Sequence, residues 1–239
     1  MKTESRYIDG SYMSQNPEWD RSDSPLKASR VLSILLKNNL QPNSICEVGC
    51  GAGDILIHLK KHLPSTKMKG FDISPQLNKF WIEHNKSEEG KEITFCLGDF
   101  HQVNEIIYDV LLMLDLFEHV RDPYTFLENS RKHASYFVFI IPLDLSASSV
   151  FRKNPLINVR RKVGHLHFYT KDLALETLTD SGFSIIDWQY TSPSLSSPNL
   201  SLKTRIMALL RSLLKLFNED IGARLIGGET LLVLAKESK

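Results

Sequence analysis

Between Ile45 and Ile141 short apolar runs alternate with helical periodicities, and a chain with that rhythm buries both kinds of segment by packing helices on a parallel sheet. The strand-like runs are Ile45–Val48, Met68–Ile73, Ile93–Leu97, Asp109–Leu114 and Tyr136–Ile141. Helical patterns occupy Asp54–Leu63, Pro75–His84 and Pro123–His133. Ser74-Pro75 and Asp122-Pro123 each set a capping residue before a proline at the first helical position, which predicts two helix starts. Upstream, Leu26, Val31, Leu32, Ile34, Leu35 and Leu40 predict a helix over Pro25–Leu40. After Pro142 a basic segment reaches to about Gly164. It is followed by a helix over Lys171–Asp180, a strand over Phe183–Tyr190, a Ser/Pro-rich linker over Thr191–Pro198, a helical pattern over Leu202–Phe217 and a strand over Thr230–Ala235. The reading is an α/β fold with seven strands.

The 239 residues suffice for one large domain. Residues 1–24 show no sustained period and read as an arm carrying Tyr7, Tyr12 and Trp19, either a lid or an unpacked tail; residues 25–239 read as the domain, with insertions at about 144–170 and 192–227. Twenty-nine Lys and Arg against 28 Asp and Glu leave a net charge of +1, with no global field to hold a polyanion, so a nucleic-acid partner is disfavoured. No apolar stretch approaches the roughly 20 residues of a membrane span, and the polar start lacks the apolar centre of a secretory signal. The expected compartment is the cytoplasm. Cys46, Cys50 and Cys96 form no C-x-x-C pair and read as reduced, buried thiols.

The most informative stretch is Ile45-Cys46-Glu47-Val48-Gly49-Cys50-Gly51-Ala52-Gly53-Asp54, a strand entering a glycine turn that opens a helix. Such a turn lets a nucleotide approach the backbone closely. A dinucleotide fingerprint wants a third glycine where Asp54 stands. Glu47 and Asp54 together would repel a pyrophosphate, whereas they suit an ammonium group or a sulfonium cation. Asp72 ends the second strand, where an acid can accept hydrogen bonds from both ribose hydroxyls. Asp99 ends the third and suits an exocyclic adenine amine, with Phe100 beside it to pack on the base. Each acid taken singly also reads as a cap or turn residue; together, after three successive strands, they outline a site for an adenosine-type ligand.

At these residues the sequence resembles the class I S-adenosylmethionine-dependent methyltransferases. The resemblance runs from about Leu32 to Ala235 and is carried by E-V-G-C-G-A-G, Asp72, G-D-F at 98–100, and the run from Tyr108-Asp109-Val110 through Asp115-Leu116-Phe117-Glu118-His119-Val120-Arg121-Asp122-Pro123. Within that superfamily it looks most like the small-molecule branch that includes ubiquinone-biosynthesis O-methyltransferases. The resemblance implies a Rossmann-like, mostly parallel seven-stranded sheet with helices on both faces and an antiparallel last strand. It implies S-adenosylmethionine as cofactor, with Glu47, Gly49 and Gly51 at the methionine end, Asp72 at the ribose and Asp99 at the adenine. The whole cofactor set is Glu47, Gly49, Cys50, Gly51, Gly53, Asp72, Ile73, Asp99, Phe100 and Leu114. Asn-Pro-Pro-Tyr, the signature of enzymes that methylate exocyclic amines of nucleic acids, is absent where Leu114-Asp115-Leu116-Phe117 stands.

Methyl transfer from a sulfonium mainly needs alignment and exclusion of water, and a hydroxyl acceptor must also lose a proton. Three histidines could take that proton. We favour His119, after the fourth strand, over His165 and His167, which follow the insertion. A role of His119 in fixing its loop stays open. Asp115, Glu118 and His119 gather metal-binding groups, with Glu118 as a loop anchor the competing reading, and no metal ligand is assigned. His58 and His62 lie one helical turn apart with lysines between them, and read as a solvated face. The basic residues between Phe151 and Lys162 read either as a solvated loop or as a device to capture an anionic acceptor. The amphipathic Leu202–Phe217 segment reads as a packing or subunit surface, with a membrane-surface role as alternative. Two other functions stay on the table: a nicotinamide-dependent reductase, which the acidic turn disfavours, and a non-catalytic cofactor-binding regulator. Acceptor identity and oligomeric state are not legible.

Overall fold

A computed structural model describes residues 5–103, 106–152, 154–191 and 218–238. Seven strands form one sheet in the order β3-β2-β1-β4-β5-β7-β6. They are β1 (Ser44–Val48), β2 (Lys67–Asp72), β3 (Ile93–Leu97), β4 (Tyr108–Leu114), β5 (Ala134–Leu143), β6 (Phe183–Thr191) and β7 (Glu229–Glu237). The first five run parallel, and β7 lies antiparallel between β5 and β6. The expected α/β, Rossmann-like sheet is thus present.

Burial on both faces explains the near-continuous apolar strands: residues 110–114 of β4 and 137–141 of β5 are all buried. On one face the helices Ser24–Lys37 and Asp54–His62 pack Val31, Ile34, Leu56 and Leu59 against alternate residues of β1, β4 and β7. On the other, Phe117, Leu127, Ala174, Leu178 and Phe183 pack against Leu111, Phe137 and Phe139. The chain reverses direction of build-up between β1 and β4, because β1 pairs with β2 on one side and β4 on the other. At such a switch point the loops after the strands part, and a crevice opens at their carboxyl ends.

Local signals fared unevenly. Asp122 accepts a hydrogen bond from the Thr125 amide (3.1 Å) and caps Pro123–Ser130 as expected. Ser74 does not cap: its hydroxyl donates to Gln76 Oε1 (2.6 Å), and Pro75–Leu77 starts as a 3-10 turn before the helix Asn78–His84. The aperiodic arm contains short helices at Ser5–Ile8 and Ser11–Gln15, too brief to leave a period. The segment 144–170 holds the helices Ala147–Phe151 and Pro155–Lys162 in place of an open loop. The Leu202–Phe217 pattern lies outside the described residues; beyond it the chain resumes with the helix Glu219–Ile226. Among the described residues no helix is long and apolar enough to cross a membrane. All three cysteines are free thiols, Cys46 and Cys50 buried and Cys96 partly so.

Candidate active site

The crevice at the switch point is a cavity of about 1290 Å³. All ten residues of the expected cofactor set line it: Glu47, Gly49, Cys50, Gly51, Gly53, Asp72, Ile73, Asp99, Phe100 and Leu114. His119 and His165 line it too, and His167 does not. His167 bonds through Nε2 to the Val120 carbonyl (3.0 Å) and so pins a loop.

The turn between β1 and the helix Asp54–His62 has positive φ at Gly51 (53°) and Gly53 (89°), where an L side chain would be strained. Space forbids a side chain as well. A Cβ on Gly51 would lie 2.8 Å from the Trp19 indole, and one on Gly53 2.4 Å from the Phe95 ring. The Gly49 and Cys50 amides donate to the Phe71 carbonyl (2.8 and 3.0 Å), and Trp81 Nε1 donates to the Gly51 carbonyl (3.0 Å). The turn is therefore fastened to β2 and to the helix after it.

Asp72 reaches back under this turn, its Oδ2 accepting from the Gly51 amide (3.0 Å) and its Oδ1 from Ser74 (2.9 Å). Burial pushes its carboxyl up to about 6, against the pull of those amides. Glu47 is 1% exposed, and its Oε2 has no hydrogen-bond partner among the described residues. Burial raises Glu47 to about 8, with Lys27 opposing and Asp72 and Asp54 adding. A buried carboxylate lacking a donor suits a cationic ligand group at this place. Asp54, by contrast, is engaged: Arg21 grips it through two bonds (2.8 and 3.0 Å), and His84 lies 3.6 Å away. Burial alone would raise Asp54, and these partners hold it down at about 2. Both carboxylates expected to meet a cationic group line the cavity, but Asp54 is paired with Arg21, which leaves Glu47 to do so. Asp99 accepts from the His101 amide (3.0 Å) and Gln102 (3.2 Å), combining a cap with a place on the cavity wall. The Phe100 ring is buried edge-on against Phe71, centroids 5.3 Å apart.

The linkage sign follows from these raised values. Each carboxyl, protonated and buried, contributes stability that is fully present below the unfolded carboxyl value near 4 and is lost as pH rises through about 6 for Asp72 and about 8 for Glu47. A cationic ligand needs the ionised forms, so its binding should release protons and tighten from pH 6 to 9. Glu47→Gln is expected to raise the ligand-free melting temperature at pH 9 by about 5 °C while weakening binding. A lower melting temperature together with unchanged affinity would contradict this account.

On the far wall, β4 ends at Asp115, whose φ is 51° and whose Oδ2 lies 2.6 Å from Lys27 Nζ. Burial alone would lower the Lys27 ammonium's pKa, and Asp115 outweighs it and raises it. Asp115 is thus committed to an ion pair. His119 presents Nδ1 to the Tyr7 hydroxyl (3.0 Å), and His165 presents Nδ1 to Asp144 Oδ2 (2.6 Å). The two imidazoles meet edge to face with centroids 4.7 Å apart. Burial and then His165 push His119 down to about 4, so it is neutral at pH 7 with a nitrogen lone pair.

The arm crosses this cavity. Gln76 donates to the Ile8 carbonyl (2.8 Å) at one end, and Arg6 donates to the Lys162 carbonyl (2.9 Å) at the other. Tyr7, Tyr12 and Trp19 cluster between, with adjacent centroids at 4.9 and 4.7 Å. The helix Pro155–Lys162 and the residue after it turn Val159 and Val163 to the cavity, while Arg160 bonds the Leu166 carbonyl (3.3 Å). Tyr7 enters the site with the arm, whereas nothing in the sequence reading singles out Lys27, Arg21 or Asp144. Asp144 had a signal, since an acid directly after a strand is what singled out Asp72 and Asp99.

A Methyltransferase domain family signature matches residues 21–187 of the chain. No curated protein sequence matches it. Among solved structures, magnesium protoporphyrin IX methyltransferase from Synechocystis PCC 6803 with bound SAH shares 17% identity at a TM-score of 0.61, covering 90% of this chain and 83% of that one. The plantazolicin methyltransferase BpumL, in complex with a monoazolic desmethylPZN analogue and SAH, shares 19% identity at a TM-score of 0.55, covering 98% and 90%. The glycine turn, the acidic strand ends and the signature that spans them agree: the chain belongs to the methyltransferase-domain family, whose methyl donor is S-adenosylmethionine.

Proposed function

We propose that the chain transfers the methyl group of S-adenosylmethionine to an oxygen of a small-molecule acceptor in the cytoplasm. The observation that carries the cofactor assignment is the buried Glu47 carboxylate, short of a partner, beside a glycine turn whose amide is held by Asp72. The residues fit the cofactor: the bare glycines admit it, Glu47 complements its cationic end, Asp72 can accept its ribose hydroxyls and Asp99 its adenine amine. When bound, S-adenosylmethionine supplies an activated methyl group on a positively charged sulfur, which departs neutral.

The chain's part is then to align, to dry and to take a proton. A cavity of about 1290 Å³ closed by the arm accommodates the cofactor and a small acceptor, not a polymer. His119, with His165 and Asp144 behind it, is the group that removes the acceptor's hydroxyl proton. The finer likeness to ubiquinone-biosynthesis O-methyltransferases rests on the E-H-V segment before an Asp-Pro helix start, and it supports oxygen over nitrogen or carbon. Among the described basic residues of the insertion, none lines the cavity, so an anionic acceptor draws no support from them. The nicotinamide alternative draws none from the acidic, two-carboxyl floor formed by Glu47 and Asp72.

The test is a screen of small hydroxyl acceptors for S-adenosylhomocysteine release, with calorimetry against NADH. Tight NADH uptake and silence toward S-adenosylmethionine would reject the cofactor; methylation at nitrogen or carbon alone would reject the oxygen acceptor. The arm acts as the lid, so deleting residues 1–20 should lower turnover at least tenfold and weaken cofactor binding. Unaltered values would make it a tail.

A further inference from the structure

Glu118 is the residue least accounted for by methyl transfer. It sits in the turn Phe117–His119 after β4, its side chain is 0% exposed, and neither carboxylate oxygen has a hydrogen-bond partner among the described residues. Its carbonyl accepts from the Leu166 and His167 amides (2.8 and 3.2 Å), which lays the Gly164–His167 segment directly beside it. His119 Nε2 is 3.8 Å from Glu118 Oε1. One oxygen of Glu118 and one nitrogen from each of His119 and His165 all lie within 4.8 Å of one another.

From this juxtaposition we infer that Glu118, His119 and His165 bind a divalent transition-metal ion. Three features converge. A buried carboxyl without a hydrogen-bond partner either keeps its proton or meets a cation, and two imidazole nitrogens stand where they could share one with it. Each imidazole has its Nδ1 engaged, by the Tyr7 hydroxyl in one case and Asp144 in the other, which assigns Nε2 to the ion and, for His165, reproduces the carboxylate–histidine–metal arrangement. Two nitrogens and one oxygen favour zinc, cobalt or ferrous iron over the oxygen-loving magnesium and calcium. Metal bonds of about 2.1 Å require ligand atoms near 3.5 Å apart, so the three side chains close by about an ångström on loading. The site differs from the Asp115-Glu118-His119 set that the spacing suggested, because Asp115 is paired with Lys27 and His165 takes its place.

Two of the three ligands line the cavity, so the ion's remaining positions open toward the acceptor. With the ion bound it would hold an acceptor oxygen and favour loss of its proton to solvent water, the imidazole lone pairs being committed to the metal; in the metal-free protein His119 takes that proton. That use rests on the methyl-transfer reading; the site itself does not.

The experiment is a cobalt titration of the metal-free full-length chain in excess magnesium, without donor or acceptor, read by ligand-field absorption. One equivalent should bind and be displaced by zinc. Glu118→Gln and His165→Ala should abolish the bands, Asp144→Asn should weaken binding by about 10- to 100-fold, and His58→Ala on the surface helix should leave it unaltered. Absence of bands in the wild-type protein, or bands that survive Glu118→Gln and His165→Ala, would overturn the inference. Should those variants not fold, X-ray absorption of the wild-type cobalt protein decides: two imidazoles in the shell sustain the site, and oxygen ligands alone refute it. Because no methyl group moves in the assay, its failure leaves the methyl-transfer reading intact, and the reverse also holds.

Discussion

His119→Ala is expected to cut turnover by about 10²- to 10⁴-fold, the range in which a positioned proton acceptor contributes, with affinity for S-adenosylmethionine nearly unaltered. The expectation rests on where the ring stands. His119 lines the acceptor wall, away from the Glu47–Asp72 floor, and it is buried, neutral at pH 7 and oriented by Tyr7. Tyr7→Phe removes the orienting hydroxyl and keeps the ring, so it should lower the rate by a smaller factor. A calorimetric cofactor titration beside a single-turnover rate separates the two effects. An equal loss of affinity and rate would mean that His119 holds the loop; an unchanged rate would remove it from the chemistry.

Asp72→Ala should weaken cofactor binding by at least about 100-fold. Hydrogen bonds to a charged group contribute about 1.5–3 kcal/mol each, and two ribose hydroxyls share this carboxylate in the proposed complex; each 1.4 kcal/mol is tenfold. The substitution also frees the Gly51 and Ser74 amides that Asp72 now holds, loosening the turn. Asp72→Asn keeps one acceptor oxygen and should fall between. Because the Asp72 carboxyl titrates near 6 before binding, wild-type affinity should drop below that pH, and the pH dependence should flatten in Asp72→Asn. Binding by Asp72→Ala within threefold of wild type would displace Asp72 from the ribose.

The parts of this molecule that could be read from sequence are those whose causes lie close along the chain. The strands were legible because burial on both faces forces an apolar run. The place of Glu47, Asp72 and Asp99 on the cavity wall was legible because each stands within two residues of the carboxyl end of a strand, at the same sheet edge. What escaped was pairing at long range. Asp54 looks like a free carboxylate until Arg21 is folded onto it, and nothing local announces that contact. Ser74 has the residues of a cap, yet its hydroxyl is taken by Gln76. The Asp144–His165 pair depends on how the segment from 144 to 170 turns back over the cavity, and the approach of Tyr7 to His119 joins residues at opposite ends of the first half of the chain.

The position of β7 bears on how the protein is made. This strand follows the other six in the chain yet lies inside the sheet, joined on one flank to β5 and on the other to β6. Until it emerges from the ribosome, both neighbours present open edges bordered by Phe137, Phe139 and Phe183, the kind of surface that recruits other chains. Nascent chains stalled before residue 229 should therefore depend on chaperones and be prone to aggregate, and emergence of β7 is the event that closes the sheet.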